Sequence, residues 1–142
     1  MAGAADYLRV KELIALTHER ESMTIYEAMG GVEGIRRIVE AFYPKVQAHP
    51  LIGPLFPDNI RPVMERQTLF LSQFFGGPPL YSEQYGHPMM RARHLPFPIT
   101  EERAEAWLGC MALALEETGM EPQLRRAVLE RLKGPAYHFV NS

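Results

Sequence analysis

The chain has 142 residues, 46% of them apolar and 23% charged, a size and make-up that suit one folded domain and exclude wholesale disorder. With 15 basic and 17 acidic residues the formal net charge is −2, so no broad positive field exists to hold nucleic acid or an anionic membrane. Cys110 is the single cysteine, which excludes an internal disulfide, a thiolate zinc cluster and cofactor attachment through paired cysteines, and makes the cytoplasm the expected compartment.

The opening residues mix charge with apolar side chains and lack the uninterrupted apolar run of a signal peptide or membrane span. Leu8, Leu13, Ile14 and Leu16, set among Arg9, Lys11, Glu12, Glu19 and Arg20, predict an amphipathic helix over 7–20, a segment added to the domain. A new unit begins near Met23, where "TIYEAMGG" reads as a short helical turn stopped by Gly30 and Gly31. Ile35, Ile38, Val39, Phe42 and Val46 then fall on one face and predict a helix over 32–48. Pro44 lies inside it, removes one backbone hydrogen bond and crowds the carbonyl of Glu40, so this helix must kink or end early.

"HPLIGPLFPDN" holds Pro50, Pro54 and Pro57 and predicts a corner of short turns. Asp58 or Asn59 would cap a helix starting near Pro62, with Val63, Gln67, Phe70, Leu71 and Phe74 on its inner side and "GGPP" at 76–79 stopping it. Leu80 to Ile99 reads as a long connection with one short helix, about 88–94, that contains His94. Thr100 caps a stronger helix, in which Glu101 and Glu102 complement the positive end and Ala104, Trp107, Leu108, Met111 and Leu115 form the apolar stripe up to Gly119. Pro122 opens a last helix with Leu124, Val128, Leu132 and Phe139 on its apolar face, broken at Gly134 and Pro135. No strand pattern or internal repeat occurs, so the class is all-α.

Few of the polar residues suggest chemistry by spacing alone. The five histidines, His18, His49, His87, His94 and His138, do not form the helical zinc-protease pattern. His87 and His94 are two helical turns apart and would share a face as a metal pair, but Pro88 argues against a continuous helix between them. No phosphate cradle or nucleophile motif is present. Asp58, Glu65, Glu83 and the acidic runs at 101–102 and 116–117 read as caps and solvated faces. Tyr43, Gln67 and Trp107 are different, because each places a polar group where a stripe should be purely apolar. Singly, each would be satisfied by a backbone carbonyl; together they suggest a cavity.

The stretches "YEAMGG" at 26–31, "AFYPKV" at 41–46, "HPLIGPLFP" at 49–57, "FLSQFFGGPPLYSEQYGHPMMRARHLPFPIT" at 70–100 and "AWLGCM" at 106–111 occur in one order. On these the chain from about Met23 to Ser142 resembles the truncated haemoglobins of the second group. The resemblance implies a two-over-two helical sandwich around non-covalent haem b over 23–142, with 1–22 as an N-terminal helical extension that lies over the domain or mediates assembly, for instance as a homodimer.

The same resemblance makes His94 the proximal iron ligand, with its second ring N–H held by a backbone carbonyl. It makes Tyr43 the distal tyrosine, Phe56 an aromatic packed against the haem, Phe97 a further haem-lining residue, and Val63 and Gln67 the ligand-facing pair on their helix. Val63 cannot donate, so Tyr43, Gln67 and Trp107 are the expected donors to a small ligand, with Trp107 lining the haem as well. Arg66 and Arg93 are the candidate partners of the haem propionates. The implied function is reversible binding of dioxygen and other small ligands, as in oxygen transport. The alternative is a haem enzyme with peroxidase-like or nitric oxide detoxifying activity, served by a reductase. Composition alone would also allow a helical interaction module without haem. Three features depart from the family pattern: the leading 22 residues, Pro44 directly after the tyrosine, and Gly134-Pro135, which should break the last helix.

Overall fold

A computed structural model describes residues 9–11 and 23–142. The helix expected over 7–20 lies outside the described residues except for Arg9, Val10 and Lys11, which are helical. The rest is helical without a strand among the described residues: α1 (Ile25–Ala28), α2 (Gly31–Ala48), a 3-10 turn (Gly53–Leu55), α3 (Arg61–Phe74), α4 (Leu80–Tyr85), α5 (Met90–His94), α6 (Glu101–Glu117) and α7 (Pro122–His138). Among these described elements no helix is long and apolar enough to cross a membrane.

Local chemistry sets the ends of these helices. The Thr24 hydroxyl accepts from the Glu27 N–H at 3.1 Å and starts α1. Gly30 and Gly31 then turn the chain with φ of 94° and 68°, a region that glycine enters without penalty. Gly34 answers a different demand, since a Cβ there would lie 1.9 Å from the Met29 carbonyl oxygen. Thr100 caps α6 by accepting from the Arg103 N–H at 3.2 Å, and Gly119 closes that helix at φ 77°.

The long helices pack as two pairs. α2 lies against α3, α6 lies against α7, and α2 crosses onto α6, giving two layers of two. The core sits where they meet: Ile35, Ile38, Val39, Phe42, Tyr43 and Val46 from α2, Leu71 and Phe75 around the end of α3, Cys110, Met111, Ala114 and Leu115 from α6, and Val128 and Leu132 from α7. Each large apolar side chain taken from water here contributes about 1.5–3 kcal/mol.

Five sequence expectations need correction. Pro44 does not end α2, which runs on to Ala48; the one acceptor orphaned by the missing N–H is that of exposed Glu40, which water can serve. Neither Asp58 nor Asn59 is the cap of α3. Ile60 holds that position, Pro62 in the first turn lacks a donor to cap, and the Asn59 side chain accepts from Arg61 N–H at 3.4 Å. The 80–99 connection holds two short helices, because the Gln73 amide brackets Ser82, donating to its hydroxyl at 2.8 Å and accepting its N–H at 3.0 Å, and so nucleates α4. Gly134-Pro135 does not break α7, which continues to His138. The innermost face of α3 is Thr68, Leu71 and Ser72, with Gln67 and Val63 only half-buried. The two hydroxyls are tolerated there because each donates to the carbonyl four residues back, at 2.9 and 2.7 Å.

Candidate functional site

Two groups of side chains stand out. The first is on the α2–α6 wall. Phe42 and Tyr43 meet edge to face at 4.9 Å, Phe42 meets Trp107 at 5.1 Å, and Tyr43 meets Phe56 at 5.8 Å. Tyr43 is only 2% exposed, yet its hydroxyl hydrogen-bonds no described residue, and the same holds for the Trp107 indole N–H and the Gln67 amide. The backbone-carbonyl alternative therefore does not apply to these three among the described residues. Burial holds the Tyr43 phenol well above its ordinary range, with the Arg66 guanidinium pulling weakly the other way. Tyr43 is thus a neutral O–H at every ordinary pH, and it lies near Arg66, which is half-buried and makes no ion pair with a described residue.

The second group surrounds His94 at the end of α5. Its Nδ1 lies 2.6 Å from the Met90 carbonyl oxygen. A carbonyl can only accept, so Nδ1 carries a proton, and in the neutral ring Nε2 is then the nitrogen with the lone pair; no described residue donates to it. The imidazole lies flat on Phe139, 4.3 Å between centroids and 9° between planes. Arg93, one residue before, donates from Nε to the Pro88 carbonyl at 3.1 Å and sits 5.8 Å over the Tyr81 ring. His87 is exposed and outside α5, so it shares no helix face with His94. Among the described residues no cluster of three or more potential metal-ligating side chains exists.

Between the two groups runs the stripe of α3 carrying Val63, Gln67, Phe70 and Phe74, all half-buried. Phe70 stacks on Phe74 and meets Tyr81 edge-on. It also lines an open cavity of about 640 Å³ together with Met90 and Phe139. That cavity lies between residues 87–92 and the end of α7, and its lining includes none of Tyr43, Gln67, Trp107 and His94. Phe97 is 43% exposed.

Three contributors escaped the sequence reading. Phe139 was expected only as the last apolar residue of its helix, and Asn141 not at all. Arg103 donates to the Pro98 carbonyl at 2.6 Å and to the Leu51 carbonyl at 3.3 Å, joining the corner after α5 to the 49–57 corner. Nothing in helical periodicity marks residues whose work is done across the chain.

The donor set fits a haem group: an imidazole held through Nδ1, the hydroxyl of a buried tyrosine and an arginine that have no partner among the described residues, and a half-buried apolar stripe. The bacterial-like globin family matches residues 24–141. The group 2 truncated hemoglobin YjbI of Bacillus subtilis is 50% identical over 116 residues, 82% of this chain and 87% of that protein. The group II truncated haemoglobin of Bacillus anthracis superposes with a TM-score of 0.82 at 50% identity, covering 84% of this chain and 92% of that one. An oxygen-avid truncated haemoglobin from Bacillus subtilis gives 0.80 at 49% identity, covering 84% and 100%. Fold and sequence agree, and the chain belongs to the bacterial-like globin family, among its group II truncated haemoglobins.

Proposed function

We propose that this chain binds haem b non-covalently, with His94 as the iron ligand, and holds dioxygen or a similar small ligand reversibly. The observation that carries the reading is the His94 side chain, whose Nδ1–H is held by the Met90 carbonyl so that Nε2 is left as a ready metal ligand. When bound, haem would supply a ferrous iron able to take a small diatomic ligand.

The chain's own residues do the rest. Tyr43, kept neutral by burial, offers an O–H; Trp107 offers an N–H on a ring fixed by Phe42; Gln67 offers an amide from α3. Three donors suit a ligand that carries partial negative charge. Val63, Phe56 and Phe97 contribute apolar surface that keeps water from the group. Arg66, without a described ion-pair partner, is the better placed fork for a propionate, whereas Arg93 is already engaged by Pro88 and Tyr81. That a relative of 49% identity is described as oxygen-avid supports the choice of ligand.

The test is titration of haem into the purified chain and two variants, read by absorption. Wild type and His87→Ala should saturate at one haem per chain, and His94→Ala should lose or severely weaken binding. Equal stoichiometric loading of all three would refute the assignment of His94.

A further inference from the structure

α5 has only five residues and little beneath it. Its N-cap, Met89, is a non-glycine residue at φ 46°, and the cavity opens along residues 87–92. Arg93 ties the start of the helix to the Pro88 carbonyl and the Tyr81 ring, and the end of the helix and the residues after it are tied by one residue near the C-terminus. Asn141 donates from Nδ2 to the carbonyls of Phe97 at 2.9 Å and His94 at 3.3 Å. It also accepts the Ile99 N–H on Oδ1 at 3.0 Å and donates its own N–H to the Ile99 carbonyl at 2.9 Å. Two residues earlier, Phe139 lies parallel against the His94 ring.

We propose that the segment Phe139–Asn141 is the positioning element for His94: Phe139 fixes the rotation of the imidazole about its own axis, and Asn141 fixes the backbone of residues 94–99 that carries it. The inference rests on His94 being the haem ligand, and it adds residues outside the pocket that decide how firmly and at what angle that ligand is presented. The physical reason is an imbalance. A ring held by one hydrogen bond through Nδ1 can still pivot about that bond, whereas a second ring 4.3 Å away and parallel removes the pivot. An isolated five-residue helix is too short to hold itself, so the asparagine bracket supplies order that its own hydrogen bonds cannot. Asn141 suits this role because one amide presents both donors and an acceptor.

The experiment uses the full haem-loaded chain in its ferrous form. Resonance Raman spectroscopy reads the iron–histidine stretch, the C–O stretch of the carbon monoxide form reads the opposite side, and transfer to an acceptor apoprotein reads haem loss. Asn141→Ala and Phe139→Leu should each shift or broaden the iron–histidine band and speed haem loss, Asn141→Ala by roughly 2- to 10-fold for each hydrogen bond removed. The C–O stretch should stay at its wild-type position, and Phe139→Tyr, which keeps the ring, should restore the wild-type band. A wild-type band in both Asn141→Ala and Phe139→Leu would overturn the proposal. Should Asn141→Ala fail to fold, the Phe139→Leu and Phe139→Tyr pair decides alone, since identical bands in the two would overturn it equally. An iron–histidine band that survives His94→Ala would instead overturn the ligand assignment, a separate failure.

Discussion

The two walls of this site are built in opposite ways. On the α2–α6 side, Tyr43 is 2% exposed and its neighbour Phe42 is fully buried, so the donors there are fixed by the same packing that holds the fold together. On the α5 side, Leu95 is 60% and Phe97 43% exposed, and position depends on a few hydrogen bonds and one stacked ring. The difference teaches that one wall cannot change without loss of the core, while the other can be loosened with the fold intact. Local stability follows burial, so the α5 wall should open first.

Three measurements press on that contrast. Phe42→Ala, which empties the centre of the aromatic group, should lower unfolding free energy by about 3–5 kcal/mol in chemical denaturation, while Phe97→Ala should stay within about 0.5 kcal/mol. Comparable losses would erase the distinction between the walls. A smaller effect comes from alkali. The Tyr43 phenol is raised in the folded chain, so above its ordinary pKa near 10 the unfolded chain releases a proton that the folded one keeps. Stability should therefore fall with rising pH there by about 1.4 kcal/mol per unit more than in Tyr43→Phe, and be unaffected by this group below. Parallel alkaline profiles would place the phenol in contact with water. The smallest effect concerns the joint between the walls: Thr100→Ala removes the cap of α6 and should cost about 1 kcal/mol in the same denaturation experiment.

How much of this was legible beforehand differs by element. Helices whose apolar residues recur on one face, α2 and α6, were readable, α6 with its Thr100 cap and its Gly119 stop, because periodicity and end residues act locally. The Thr68 and Ser72 face was not, since a hydroxyl that donates to the carbonyl four residues back looks polar in sequence and behaves as satisfied in the core. The prolines misled in the other direction. Pro44 and Pro135 read as breaks, yet both stay inside helices held by packing on either side. The pattern marked Tyr43, Gln67 and Trp107 only as polar groups on apolar stripes; their roles, and the choice of His94, came from resemblance to a family. The side chains that brace His94 come from more than 40 residues away in sequence, as the bond between Asn141 and the His94 carbonyl shows, and no local pattern announces them.

That the α2–α6 wall holds the ligand is tested most directly by the oxygen dissociation rate of Trp107→Phe against wild type, with carbon monoxide, less polar when bound, as the steric control. The substitution keeps most of the ring volume and removes the N–H. Loss of one such hydrogen bond should speed oxygen dissociation by roughly 2- to 10-fold, and by more if the acceptor is partly charged, while carbon monoxide responds less. An oxygen rate equal to wild type at full haem loading, or an equal change in both ligands, would contradict the role assigned to this wall.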